Sequence, residues 1–137
     1  MRYSHKDFST NLLLKIKEME HALKEPTELL LEKYKPVFTE KNLDFDIELV
    51  IEGKDHFVPE YNSFVVAGIS EENELLDLYT IPIWKCERTF LGLPTLRNIP
   101  GCRIVGEFID ESIEQVLEEL KEHIEETWKD HVLEDTL

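Results

Sequence analysis

Apolar residues return every three or four positions through Phe8, Leu12, Ile16, Met19 and Leu23, the spacing of one helix face. Ser4 and Asp7 stand before them as a capping box, which predicts a helix from about His5 to Lys24. Pro26 follows, and the residue before a proline avoids the helical region. Proline also suits the first turn of a helix. The pattern therefore predicts a break and a second, shorter helix from Pro26 to about Tyr34, ending before Pro36.

The period then changes to two. Leu43, Phe45, Ile47, Leu49 and Ile51 alternate with Asp44, Asp46, Glu48 and Val50, so a strand here has an apolar face and a carboxylate face. After a turn at Gly53, the apolar run Phe64 to Ile69 predicts a central strand. Ser70 to Glu74 is a polar segment of hairpin length. Leu75 to Trp84 predicts a third strand in spite of Pro82, a residue that belongs at an edge or a bulge. Arg88 to Gly101 is a long connection, expected to be ordered because Phe90, Leu93, Leu96 and Ile99 offer apolar anchors. A last strand is predicted from Arg103 to Ile109.

Asp110 or Ser112 caps a final helix, whose stripe is Ile113, Val116, Leu117, Leu120, Ile124 and Trp128. It should reach about Val132 and fray where Glu134 and Asp135 oppose the negative end of the helix dipole. The predicted fold is one α+β domain over residues 1–137. It is an antiparallel four-stranded meander with two N-terminal helices and one long C-terminal helix packed on one face. Its expected core contains Phe45, Ile47, Leu49, Val66, Ile104, Leu117 and Leu120.

Charge changes this picture more than length does. The 137 residues carry a formal net charge of −15, which argues against nucleic acid and anionic membranes as partners. The charge is uneven: residues 1–43 sum to +1, residues 44–83 to −9, residues 84–106 to +3 and residues 107–137 to −10. On the last helix Glu114, Glu118, Glu122, Glu126 and Asp130 repeat at intervals of four, a spacing at which like charges repel. A docking face of Glu114, Glu118, Glu122, Glu125 and Glu126 for a basic protein partner is one reading; a solvated outer face is the other. Arg88, Arg97 and Arg103, with Lys85, form a basic island that either pins the long connection or holds an anion.

Catalytic chemistry has little to stand on. There is no G-x-S-x-G, Walker-A or G-x-G-x-x-G pattern. Cys86 and Cys102 lack metal-ligand spacing and are expected to be free thiols; Cys86, beside Lys85 and Arg88, is a nucleophile only if a histidine adjoins it. Glu119 and His123, with Glu126 near, have the spacing to share a metal ion, but no second histidine completes a known motif. Asp44 and Asp46 share a strand face with no identifiable partner of raised pKa. His5, His21, His56 and His131 are scattered. No cofactor or metal is predicted.

No apolar run approaches membrane-spanning length, and Met1 to Lys6 shows no leader pattern, which together predict a cytoplasmic chain. The leading expectation is a non-enzymatic acidic binding module, comparable to an immunity or antitoxin-like inhibitor that docks on a basic protein. The second is a homodimeric secretion-chaperone-like or scaffold protein, using the apolar long connection and Trp84 as its surface. The third is a small anion- or ligand-binding protein built on Arg88, Arg97 and Arg103.

Overall fold

In a computed structural model, which describes residues 1–133, the chain is α+β: a short strand, one long helix, five further strands and a second helix. The Ser4 box is real but closes only a single 3-10 turn, His5–Asp7. The Asp7 carboxylate accepts from the Ser4 hydroxyl at 2.7 Å and its amide at 3.3 Å, which holds the Asp7 pKa below its ordinary value. The chain extends at Phe8 and restarts at Ser9, whose hydroxyl accepts from the Leu12 amide at 3.1 Å. Helix α1 therefore runs Thr10–Thr39.

Two N-terminal helices were expected where there is one. Pro26 and Pro36 both lie inside α1. Each proline removes one helical hydrogen bond, and threonine hydroxyls make up bonds beside the gaps. Thr27 donates to the Leu23 and Lys24 carbonyls at 2.7 and 2.9 Å, and Thr39 donates to that of Lys35 at 2.8 Å. The buried stripe also continues past Pro26: Leu12, Ile16, Met19 and Leu23 are followed by Thr27. Asn42, at φ 62, takes the left-handed conformation that turns the chain out of α1.

The strands are β1 (Arg2–Ser4), β2 (Asp44–Glu52), β3 (Asn62–Glu71), β4 (Glu74–Phe90), β5 (Leu93–Pro94) and β6 (Arg103–Phe108). They form one antiparallel sheet in the order β1-β6-β4-β3-β2, with β5 paired to β4. The four strands expected from the pattern are present in chain order. The additional two are only three and two residues long, too short to show a period. β4 is longer than expected and accommodates Pro82; Ile83 and Trp84 just after it are both fully buried, so the alternation shifts phase there. Two-residue turns at Glu72-Asn73 and Leu91-Gly92, all four with positive φ, close the hairpins at the ends of β4.

The chain resolves into two compact groups. The first comprises Met1–His21, Val50–Phe64 and Pro82–Asp110. Its centre is the buried Trp84, against Leu12, Ile16, Tyr61 and Cys86, with Tyr3, Phe8, Phe57 and Phe108 around the indole. The indole N–H donates to the His56 carbonyl at 2.7 Å.

The second group comprises Ala22–Leu49, Val65–Ile81 and the chain from Glu111. Phe38 of α1 stacks on Phe45 of β2 and meets Trp128 edge-on. Helix α2 (Ile113–Trp128) is capped by Ser112, whose hydroxyl accepts from the Gln115 amide. It buries Val116, Leu120 and Ile124, then closes in a π turn, Lys129–Leu133. The expected fraying at Glu134 and Asp135 lies outside the described residues.

Of the expected core, Phe45, Ile47 and Leu120 are buried, whereas Leu49, Val66, Ile104 and Leu117 are half-buried. In β3 the inward face is Ser63, Val65, Ala67 and Ile69, one residue out of phase with Val66. A continuous apolar run carries no information about which of its faces turns inward.

Candidate functional site

Helix α2 presents all five of Glu114, Glu118, Glu122, Glu125 and Glu126 to solvent. Glu118, Glu122 and Glu125 follow one edge of the helix and line a groove of about 690 Å³ against Pro26, Leu29, Leu30 and Lys33 of α1. Leu117 belongs to this groove, which is why it is only half-buried. Lys121 lines it too. The Tyr34 hydroxyl meets the Glu125 carboxylate at 3.5 Å; desolvation first, and that carboxylate second, raise the Tyr34 pKa. Glu114 and Glu126 do not line the groove.

The basic island is not one site. Arg88 pairs in register with Ile104 and Thr89 with Arg103, so Arg88 and Arg103 point to opposite sheet faces. Half-buried Arg88 lines a cleft of about 480 Å³ in the first group, together with Lys85, Glu52, Glu60 and Glu87. Arg97 and Arg103 are exposed and do not line it. Among the described residues none of the three arginines forms an ion pair; the one lysine pair is Lys85 with Glu87 at 3.5 Å. Pinning of the long connection by arginine–carboxylate pairs is thus not seen among the described residues.

One wall of that cleft is strained. Tyr61 donates its amide to the Val58 carbonyl across a turn with Pro59 and Glu60 at its centre, and Glu60 has φ 82. The Glu60 amide donates to the Cys86 carbonyl while the Cys86 amide donates to the Tyr61 carbonyl, so two residues oppose one, as in a β-bulge.

The long connection is tied down by polar bonds rather than by its leucines. The Thr95 amide donates to the Arg88 carbonyl, the Arg97 amide to the Thr95 hydroxyl, and the Cys102 amide to the Ile99 carbonyl. Of the expected anchors, Phe90 and Ile99 are half-buried, but Leu93 and Leu96 are 70% and 80% exposed and Leu91 is 86% exposed. Trp84, expected on a docking surface, is fully buried, because the N-terminal aromatic residues cover it.

Two polar clusters escaped the sequence reading. In the first group, buried Glu20 accepts from the Tyr61 hydroxyl at 2.7 Å and lies 2.6 Å from His56 Nε2. Desolvation, followed by this carboxylate, raises the Tyr61 pKa strongly. The signal was an acid inside the apolar stripe, one turn from Ile16, which a buried helix face admits only with partners. In the second group, His123 Nε2 lies 2.6 Å from the Asp77 carboxylate, and its ring stacks on Tyr79. The Tyr79 hydroxyl donates to Glu119, and this bond is the main reason its pKa rises to about 12.

Two other residue groupings take different surroundings from those their spacing suggests. Glu119 and His123 are engaged with Tyr79 and Asp77, and no metal-holding group of three occurs among the described residues. Cys86 is fully buried, and desolvation pushes its thiol up to about 11, the reverse of an activated nucleophile. Both cysteines are free. Cys86 pairs with Gly106, four residues along the chain from Cys102, so the two backbones are offset by about 13 Å along the strand direction, too far to bridge. Asp44 and Asp46 are exposed on β2. No helix of the described residues is long and apolar enough to cross a membrane. The chain matches no protein family, no curated protein and no solved structure.

Proposed function

We propose that this chain is an acidic docking module whose α1–α2 groove receives a basic amphipathic helix of a protein partner. The observation that supports it is the groove itself: an apolar floor of Leu29, Leu30 and Leu117 edged by Glu118, Glu122 and Glu125. Helix-in-groove recognition uses apolar anchors on one stripe and charge on the rim. Lys33 and Lys121 share the rim and select where on the partner helix its own acids fall. Reversal of Glu118 and Glu122 to lysine is the test. Rim charges act mainly on encounter, so the reversed protein should capture a lysine-rich amphipathic helical peptide markedly more slowly at low salt. The difference should shrink as salt rises. Equal rates at low salt would leave α2 as a solvated face only.

A second reading draws on the hairpin of β4 and β5, where Leu91, Leu93 and Leu96 stand in solvent. They suit a dimer or client surface of the chaperone kind. Light scattering on a sizing column decides it: a dimer that reverts to monomer in Leu91→Asn, Leu93→Ser supports this reading, and a monomer at all concentrations removes the dimer.

A further inference from the structure

We infer that β2 is where an extended protein segment, with lysine or arginine at alternate positions, adds to the sheet as a further strand. This rests on the reading of the chain as a binder of basic protein, but places a second mode of binding away from the helical groove. β2 ends the sheet order, and among the described residues no strand pairs with its outer side. An edge strand keeps a row of free backbone donors and acceptors. Edges are commonly blunted by shortness, proline, bulges or charged side chains, and of these β2 carries only charge, all of one sign. β2 is nine residues long and contains neither proline nor glycine nor a residue of positive φ.

The side chains decide what can pair there. Asp44, Asp46 and Glu48 stand exposed at alternate positions on one face of β2. On the side of β3 and β4, away from the free edge, this row adjoins a depression of about 430 Å³ that also takes in Val66, Leu75 and Leu78. Leu75 and Leu78 are 59% and 58% exposed, and Lys35 is the one cation in the lining. The opposite face of β2 holds the buried Phe45 and Ile47. A strand laid beside β2 would set every second side chain about 5 Å from an acid of this row. A second copy of β2 would set acid against acid, which is destabilising. A lysine or arginine at those positions is matched instead, and the intervening residues extend the apolar layer of Phe45 and Ile47. The occupant is therefore an alternating basic and apolar segment, held by main-chain bonds and selected by charge.

The probe is a capped peptide as long as β2 that alternates lysine and valine, titrated into the full chain and followed by amide shifts and hydrogen exchange. Two N-methylated forms carry methyl groups on alternate amides in opposite phases. Added as a strand, the peptide should protect β2 amides; one N-methyl phase should lose about tenfold or more in affinity while the other retains it. Asp46→Lys should weaken binding, and an alternating glutamate–valine peptide should not bind. Equal loss or equal retention in both N-methyl phases overturns the inference. So does a shift pattern confined to α1 and α2 that vanishes in Glu118→Lys, Glu122→Lys, a result that leaves the groove reading standing. Concentration-dependent pairing of the chain with itself through β2 overturns it as well. Failure of both this peptide and a basic helical peptide would remove the groove reading along with it.

Discussion

Trp84 lies across Gly106 so closely that a Cβ at position 106 would come 2.0 Å from the indole. Glycine is required here by the space its neighbour fills, not by φ. Gly106→Ala should cost about 3 kcal/mol or more, the upper end for overpacking, read as a fall in the denaturant midpoint. Trp84→Leu in that background should recover part of the loss, because it removes the clashing ring. At Leu91 the problem is φ: 52, at the first centre of a two-residue turn that favours asparagine or glycine. Leu91→Asn should stabilise the fold by about 0.5–1 kcal/mol, since the left-handed penalty falls and no buried contact is lost. An unchanged or lower midpoint would show that Leu91 is held by contacts its exposure hides. Ser63 is fully buried and its hydroxyl has no partner among the described residues, so Ser63→Ala should be neutral or stabilising in the same assay.

Among the elements, α2 offers the sharpest contrast. Val116 and Leu120 face the core, whereas Leu117 faces the groove. Leu120→Ala should cost about 2–5 kcal/mol and Leu117→Ala distinctly less, measured by chemical denaturation. Both leucines fit the same helical period, and a stripe wider than the buried face does not say where its edge falls. Where one face is buried and the other wet, as in β2, the alternation of Asp44, Phe45, Asp46 and Ile47 was legible residue by residue. In β3, apolar on both faces, the phase was not. The break expected at Pro26 failed because Thr27 and the continuing stripe outweigh one missing bond, a balance that propensity alone does not contain. The acids of the groove were visible as a charged helix face. Their neighbours Leu29 and Leu30 come from another helix, and no local pattern pairs the two.

Across the whole molecule the excess of carboxylates leaves a mark on pH response. Glu111 shares a hydrogen bond with Glu119, and this bond first, then desolvation, raises its pKa. A carboxyl raised on folding contributes stability below its ordinary value of 4.5 and loses it as pH rises through the folded value. Glu111→Gln should therefore raise the thermal midpoint at neutral pH and leave it unchanged in acid. The tyrosines act at the other end. Tyr34, Tyr61 and Tyr79 are all raised above 10, so their contribution is intact below pH 10 and is lost in stronger alkali. Ultraviolet titration should find Tyr61 and Tyr79 still protonated at pH 10, and Tyr79→Phe should flatten the alkaline loss between 10 and about 12. The sheet, finally, cannot be completed in the order in which it is made. Among the described residues, Arg2, Tyr3 and Ser4 pair only with Glu107, Gly106 and Val105. β1 thus leaves the ribosome before every other strand of this chain and waits for its partner while about a hundred residues are added, on the order of ten seconds of translation. A nascent chain halted after β4 should still offer its N-terminal strand to a protease, and that strand should become resistant only once β6 has cleared the exit tunnel.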